Sequence, residues 1–322
     1  MKTLAVCALL TVACSSTWRR VDTPHFVLRT DLGSSEAKRA GIALEATRAV
    51  LVSAVWPQFK FSDQKTHVYW LANGLDFERY FGRWTQCFFS PQSPATFILY
   101  GPVNRQEIRR TLPRPTSYLL RHAMAHQLSA EVWPNRPRWF AEGLAEFLAP
   151  VYYAEDGQNV VVGATNLYAL SEYDDVRTLG LEDALNWNQP DAAMPESEAA
   201  GLHGLSWLFV HWLHIQHPRE LYRYLNELRR GTPADQAFTV AMQDLDFAKI
   251  DTELFAYRQT LGLRKFGHFG GMLLPVVDST LSESALGEQP LAPHEVKAVP
   301  DLLTAMGKSA QGSAGHGPPP NN

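Results

Sequence analysis

SYLLRHAMAHQLSAEVWPNRPRWFAEGLAEFLAP, residues 117–150, is the stretch on which the fold and the chemistry of this chain turn. Between Ser117 and Val132 it holds good helix formers with neither glycine nor proline, so the spacing predicts one helix carrying His122 and His126. Four residues apart on a helix, the two imidazoles share one face, separated by about 6 Å of rise. Pro134, Asn135 and Pro137 then mark a short turn, and Pro137 suits a first helical position. The segment WFAEGLAEFLA predicts a second helix with Glu142 and Glu146 on one face.

Two imidazoles one turn apart can converge on one ion, which is how H-E-x-x-H helices hold zinc. Two histidines and a carboxylate leave the fourth position of a tetrahedral ion open, the arrangement of a catalytic rather than a structural site, and Glu142 is the candidate third ligand. An i,i+4 pair in a chain with eleven histidines is also what an ordinary helix face produces. The pair, the proline-marked turn and the PRWFAEGLAEFL segment point to metal in combination.

That combination resembles the gluzincin metallopeptidases of the peptidase MA clan, especially bacterial members whose second helix reads P-x-W-[LF]-x-E-G-[LF]-A-E-[YF]. The resemblance implies His122, His126 and Glu142 as zinc ligands and Glu146 as an acidic residue that supports the site. Its specific part is confined to residues 121–148. One position departs: where the family carries its catalytic glutamate this chain has Ala123, giving H-A-M-A-H. In the family that glutamate takes a proton from the attacking water and passes it to the leaving amine, so alanine removes the general base and leaves the Lewis acid. Such assistance contributes roughly 10²–10⁴-fold, so hydrolysis is expected to be slow. Glu131, five residues past His126, is expected well round the helix from the metal side. The short spacing from His126 to Glu142 implies a divergent subfamily. HGLSWLFVHWL resembles the family's next helix, where a tyrosine or polar residue approaches the site, and it singles out His203.

The chain of 322 residues, 45% hydrophobic, is ample for a core in one large domain or two small ones, and its net charge of −4 gives no reason to expect nucleic acid. Arg109, Arg110 and Arg114 read as a solvated loop. Met1, Lys2, the apolar run 4–13 and Cys14-Ser15-Ser16 read as a secretory signal. LLTVAC resembles a bacterial lipobox, with Thr11 where leucine is preferred, which makes Cys14 the candidate lipidation site and a plain signal peptide the alternative. The run is shorter than the ~20 residues of a membrane span. With Cys7 removed and Cys14 acylated, Cys87 alone remains and no intramolecular disulfide follows.

Elsewhere, strands are expected at 25–30, 67–72 and 96–100, and helices at 37–55, with Ser34 and Ser35 as caps, and at 76–81. By the resemblance, a sheet edge beside the zinc helices takes extended peptide by strand addition. Strand 96–100 is the candidate for that edge, or else a buried core strand. A hairpin is expected within 152–162 around Asp156-Gly157. The looser stretch 181–189 and the MPESEAA after it either cover the cleft or make a surface excursion. Helices at 198–216, 218–228, 233–242 and 250–261 make an all-helical C-terminal half, with Leu221, Tyr224, Leu225, Leu228, Phe238, Phe255 and Tyr257 as core. His211, His214 and His217 read as a helix surface near its end rather than a second metal site. Gly267, Gly270 and Gly271 lack the following helix of a phosphate loop.

The reading is an α+β chain: a signal peptide at 1–13, a gluzincin-like domain at 17–270 with a small N-terminal sheet, a zinc-helix pair and a helical C-terminal half, and a disordered tail at 280–322. The function expected is that of a degenerate zinc metallopeptidase-like protein of the bacterial cell envelope, exported and anchored in the membrane through lipid on Cys14. It would be a pseudopeptidase that keeps its cleft for a peptide or protein. The alternative is an active zinc-dependent peptidase with a non-standard general base.

Overall fold

The computed structural model describes residues 18–82, 87–90, 95–101, 116–175, 178–189, 191–263, 271–275 and 281–312. The candidate signal, Cys14 and the arginines at 109, 110 and 114 lie outside them, as do Gly267 and Gly270. The fold is α+β, with a mixed N-terminal sheet and a helical C-terminal half. No described helix is long and apolar enough to cross a membrane.

The sheet begins with an antiparallel hairpin of β1 (Arg19–Asp22) and β2 (Phe26–Thr30). Helix α1 (Ser34–Val55) then crosses over to β3 (Thr66–Leu71), which pairs parallel to β2. Gly33 precedes α1 with no side-chain cap, so Ser34 and Ser35 are helical residues rather than caps. Helix α2 (Gly74–Phe81) is capped by Asn73, whose side chain accepts from Leu75 N at 2.9 Å. Next come β4 (Phe88–Ser90), antiparallel to β5 (Thr96–Tyr100), and β5 lies parallel to β3. The sheet order β4-β5-β3-β2-β1 makes β4 one edge, and β5 is a buried strand beside it. The candidate edge at 96–100 is therefore corrected: Phe97, Ile98 and Leu99 are sealed on both faces, and Phe88–Ser90 takes the outer position.

Alternation along β3 sends Val68 and Trp70 into one cluster and Tyr69 and Leu71 into the other, so a run apolar at nearly every position marks a strand covered on both sides. The first face carries α1 and α3 (Thr116–Val132). Behind α3 lie α4 (Arg138–Leu148), the hairpin of β6 (Tyr152–Tyr153) and β7 (Asn159–Val162), and α5 (Leu167–Asp175). Gly157 turns that hairpin at φ +64°. Then come α6 (Leu181–Leu185), a short 3-10 turn at Asp191–Ala193, and α7 (Glu196–Gln216), which runs along both α4 and α5. α8 (Pro218–Arg229), α9 (Ala234–Ala241) and α10 (Ile250–Leu263) complete the helical layer. Leu221, Tyr224, Leu228 and Tyr257 are buried there, but Phe255 is half exposed on the outer side of α10 and is not core.

Folded structure continues past residue 270. β8 (Met272–Pro275) pairs with β7, β9 (Glu288–Pro290) closes the far edge of the main sheet against β1, and α11 (Pro293–Gly312) packs on α2. The disordered tail expected at 280–322 is thus corrected over 281–312, where Leu291, Val299 and Leu303 are buried against Tyr69, Phe77 and Ile98. Covering the second face of the sheet supplies the burial that orders this segment.

Candidate metal centre

α3 is buried nearly all round: Ala123, Met124 and Ala125 have no exposure, and His122 and His126 are turned toward α4. Two arginines brace the pair, one from within α3 and one from the turn between the helices. Arg121 Nε donates to Ala149 O at the end of α4 (2.7 Å), and Arg136, in the turn, donates to His126 O of α3 (3.0 Å). Burial lowers both guanidinium pKa values to about 10.

The pair brings three donor atoms together. His122 Nε2 and His126 Nε2 lie 3.0 Å apart, and Glu142 Oε2 lies 3.1 Å from His126 Nε2 and 3.7 Å from His122 Nε2. Bonds of about 2.0–2.1 Å to a tetrahedral ion place adjacent donors about 3.3 Å apart, so this triangle fits an ion of that size. His122, His126 and Glu142 form a group that could hold a metal ion, the one such group found among the described residues.

The charges around the triangle act differently on its three members. Burial pushes the His126 pKa down, with help from His122 and Arg136 and against the pull of Glu142. Burial would raise the Glu142 carboxyl, but His126, His203 and His122 outweigh it and hold it well below the usual range. At His122 burial lowers the pKa and is outweighed by Glu142 and Glu146, for a net rise.

Glu146, one turn after Glu142, is completely buried and stands behind His122, its Oε1 at 3.3 Å from Nδ1 without hydrogen-bond alignment. Its other oxygen accepts from Tyr118 Oη and, at 2.9 Å, from Asn166 Nδ2. Asn166 also caps α5, its Oδ1 accepting from Tyr168 N and Ala169 N at 3.1 and 3.2 Å. A carboxylate facing the far nitrogen of an imidazole favours the proton on that nitrogen, which leaves Nε2 free to ligate.

On the opposite side stands His203 of α7. Its Nδ1 is 3.4 Å from Glu142 Oε2, without hydrogen-bond alignment, and its Nε2 is 3.2 Å from Asp191 Oδ2. Burial lowers its pKa, but Asp191 and Glu142 prevail and raise it to about 9. Arg138, at the start of α4, donates to Asp191 Oδ1 and to Gln189 O, both at 2.6 Å, and lies over the Trp187 ring at 4.2 Å. Phe89 of the edge strand β4 stacks on His126 at 6.4 Å between ring centroids.

Glu131 takes no part: its carboxylate accepts from Ser62 N, away from the triangle. The other histidines of α7 do not converge either. His211, expected on a surface, is wholly buried, accepting from Tyr257 Oη at 2.7 Å and donating from Nε2 to Gly163 O at 3.1 Å. His214 packs on Phe147 and His217 on Trp212.

Sequence reasoning missed Tyr118, Asn166, Asp191 and Arg138. For Asn166 there was a usable signal, an asparagine directly before an apolar helical segment. The partners of the rest lie 12 to 53 residues away, where no local pattern reaches.

A family described as "Protein of unknown function (DUF1570)" matches residues 119–235, just over a third of the chain, from α3 into α9. No curated protein matches.

Proposed function

We propose that the chain is a zinc-binding, metallopeptidase-like protein of the gluzincin type whose general base is lost, and that it keeps its cleft to bind a peptide or protein. The observation that carries this reading is the convergence of His122 Nε2, His126 Nε2 and Glu142 Oε2 beside a residue, Ala123, that has no acid–base group. Bound zinc would supply a Lewis acid with an open coordination position. Glu146, with Tyr118 and Asn166, would orient His122 toward it. No described carboxylate stands at the position of the missing base, and His203 has both nitrogens turned to carboxylates, so a second, catalytic reading gains no support from it. The edge strand β4, carrying Phe89 against His126, is the place where an extended peptide would add to the sheet.

Export and acyl anchoring at Cys14 belong to the same proposal and rest on the sequence of residues 1–16. The test of the metal reading is elemental analysis of mature protein purified with added zinc and without chelators. About one zinc per chain is expected, lost in His126→Ala. Zinc-free wild type would make the two histidines structural and end the reading.

A further inference from the structure

His203 lies, partly buried, between two carboxylates that belong to different parts of the chain. One is Glu142 on α4, whose Oε2 faces the histidine triangle. The other is Asp191, in the 3-10 turn Asp191–Ala193 that leads into α7. Arg138 grips Asp191 and Gln189 O beside that turn, and Trp187 lies between Arg138 and the His203 ring, edge-on to the latter at 4.9 Å. Among the described residues, the side-chain hydrogen bonds and ion pairs of Asp191 converge on His203 and on Arg138, the first residue of α4, while Met194 just after the turn packs on the main core.

We infer that His203 is a positioning residue that joins Glu142 to the turn Asp191–Ala193, facing the metal-facing carboxylate as a charge partner at 3.4 Å from one ring nitrogen and hydrogen-bonding the turn from the other. The inference rests on the metal-centre reading for its consequence, that docking of the turn and affinity of the site rise and fall together. A carboxylate with a partner on one side loses orientational freedom, and partners of metal ligands are commonly worth 10–100-fold in affinity. A ligand or partner protein that displaces the turn would thereby loosen Glu142.

Hydrogen exchange on metal-free full-length protein reads the joint directly. His203→Ala, His203→Gln and Glu142→Gln are expected to speed exchange at the amides of 187–189 and 191–194 by about tenfold or more, with α1 unchanged. His294→Ala, an exposed histidine of α11, should leave the turn as it is. The Glu142→Gln arm is decisive, because the direct effect of Glu142 on the turn is to repel Asp191, and relieving that repulsion would not speed exchange if His203 had a merely local role. Unaltered exchange in Glu142→Gln, with His203→Ala fast, overturns the joint. In the metal-loaded protein, His203→Ala should weaken zinc by 10–100-fold in chelator competition and alter the visible spectrum of the cobalt-substituted site. An identical cobalt spectrum and affinity would also overturn it. If wild type binds no metal, the metal-centre reading falls by that result alone, and the exchange data on metal-free protein still decide the joint.

Discussion

Gly143→Ala tests whether the metal centre depends on the approach of α4 to α7. A Cβ at Gly143 would stand 2.4 Å from Ser206 O, 2.8 Å from Ser206 C and 2.8 Å from Val210 Cγ2. Two of those atoms are backbone, so no rotamer change can make room. Ordinary carbon contacts begin at about 3.5 Å, and restoring them requires the helices to part by about 1 Å. Overpacking of this kind costs about 3 kcal/mol at its upper end, and the better helix propensity of alanine offsets about 1 kcal/mol. The net loss is about 2 kcal/mol, or about 4–8 °C in melting temperature for a domain of this size. Glu142 is the preceding residue and His203 lies one turn before Ser206, so the same displacement separates them. Metal donors tolerate errors of about 0.2 Å, and zinc affinity should fall by tenfold or more.

The assay is a thermal melt with and without zinc, together with chelator competition, on wild type, Gly143→Ala and Gly287→Ala. Gly287 is the control because an added Cβ there meets nothing within 4 Å. Its substitution should change stability by no more than about 0.5 kcal/mol. If Gly143→Ala melts within a degree of wild type and binds zinc equally well, the helices are not locked at this crossing and the argument fails.

Ala123 is fully buried, so Ala123→Glu should lower the melting temperature while raising zinc-dependent cleavage of a mixed peptide library by about 10²-fold. Robust cleavage by wild type, abolished in His122→Ala, would refute the loss of the base. Burial lowers the His211 pKa from 6.5 to about 4. Above pH 6.5 the imidazole is neutral folded and unfolded and contributes no pH dependence, but below it the unfolded chain takes up the proton first and stability falls until about pH 4. The loss between pH 7 and pH 5 works out at about 2 kcal/mol, and urea unfolding should show it in wild type but not in His211→Asn. Equal losses in both proteins would exclude His211 as the source. Mass spectrometry of the mature N-terminus should find acylated Cys14: an intact Met1 would sink export, and an unlipidated cut elsewhere would sink the anchor alone.

The metal triangle was legible because its signals are local. An i,i+4 histidine pair and a carboxylate on the next helix need only the helical repeat to bring them to one face. The edge of the sheet was not legible, since Phe88–Ser90 and Thr96–Tyr100 are both short and apolar and only pairing with β3 assigns the inner place to the second. The buried state of His211 depends on Gly163 and Tyr257, 48 and 46 residues away. α11 did leave a pattern, Val296, Val299, Leu303 and Met306 at helical spacing, obscured by Pro300 and by the glycine- and proline-rich residues after it.

The cost of the site is an argument for its occupant. Glu146 has no exposure and Glu142 little, and both lie against imidazoles that burial itself discourages from carrying charge. Removing a carboxylate from water costs several kcal/mol, and a partner that is only partly protonated returns part of that. A dication among His122, His126 and Glu142 would compensate these carboxylates without asking the histidines to bind protons. Hydrophobic residues of similar volume would stabilise the same helix pair as well or better if no ion were ever held there. The arrangement therefore makes physical sense as a site kept for metal. Glu146→Gln separates the two accounts: it should lower zinc affinity while raising or sparing the stability of the metal-free protein. Loss of metal-free stability with unchanged zinc affinity would instead make Glu146 a structural carboxylate serving Tyr118 and Asn166.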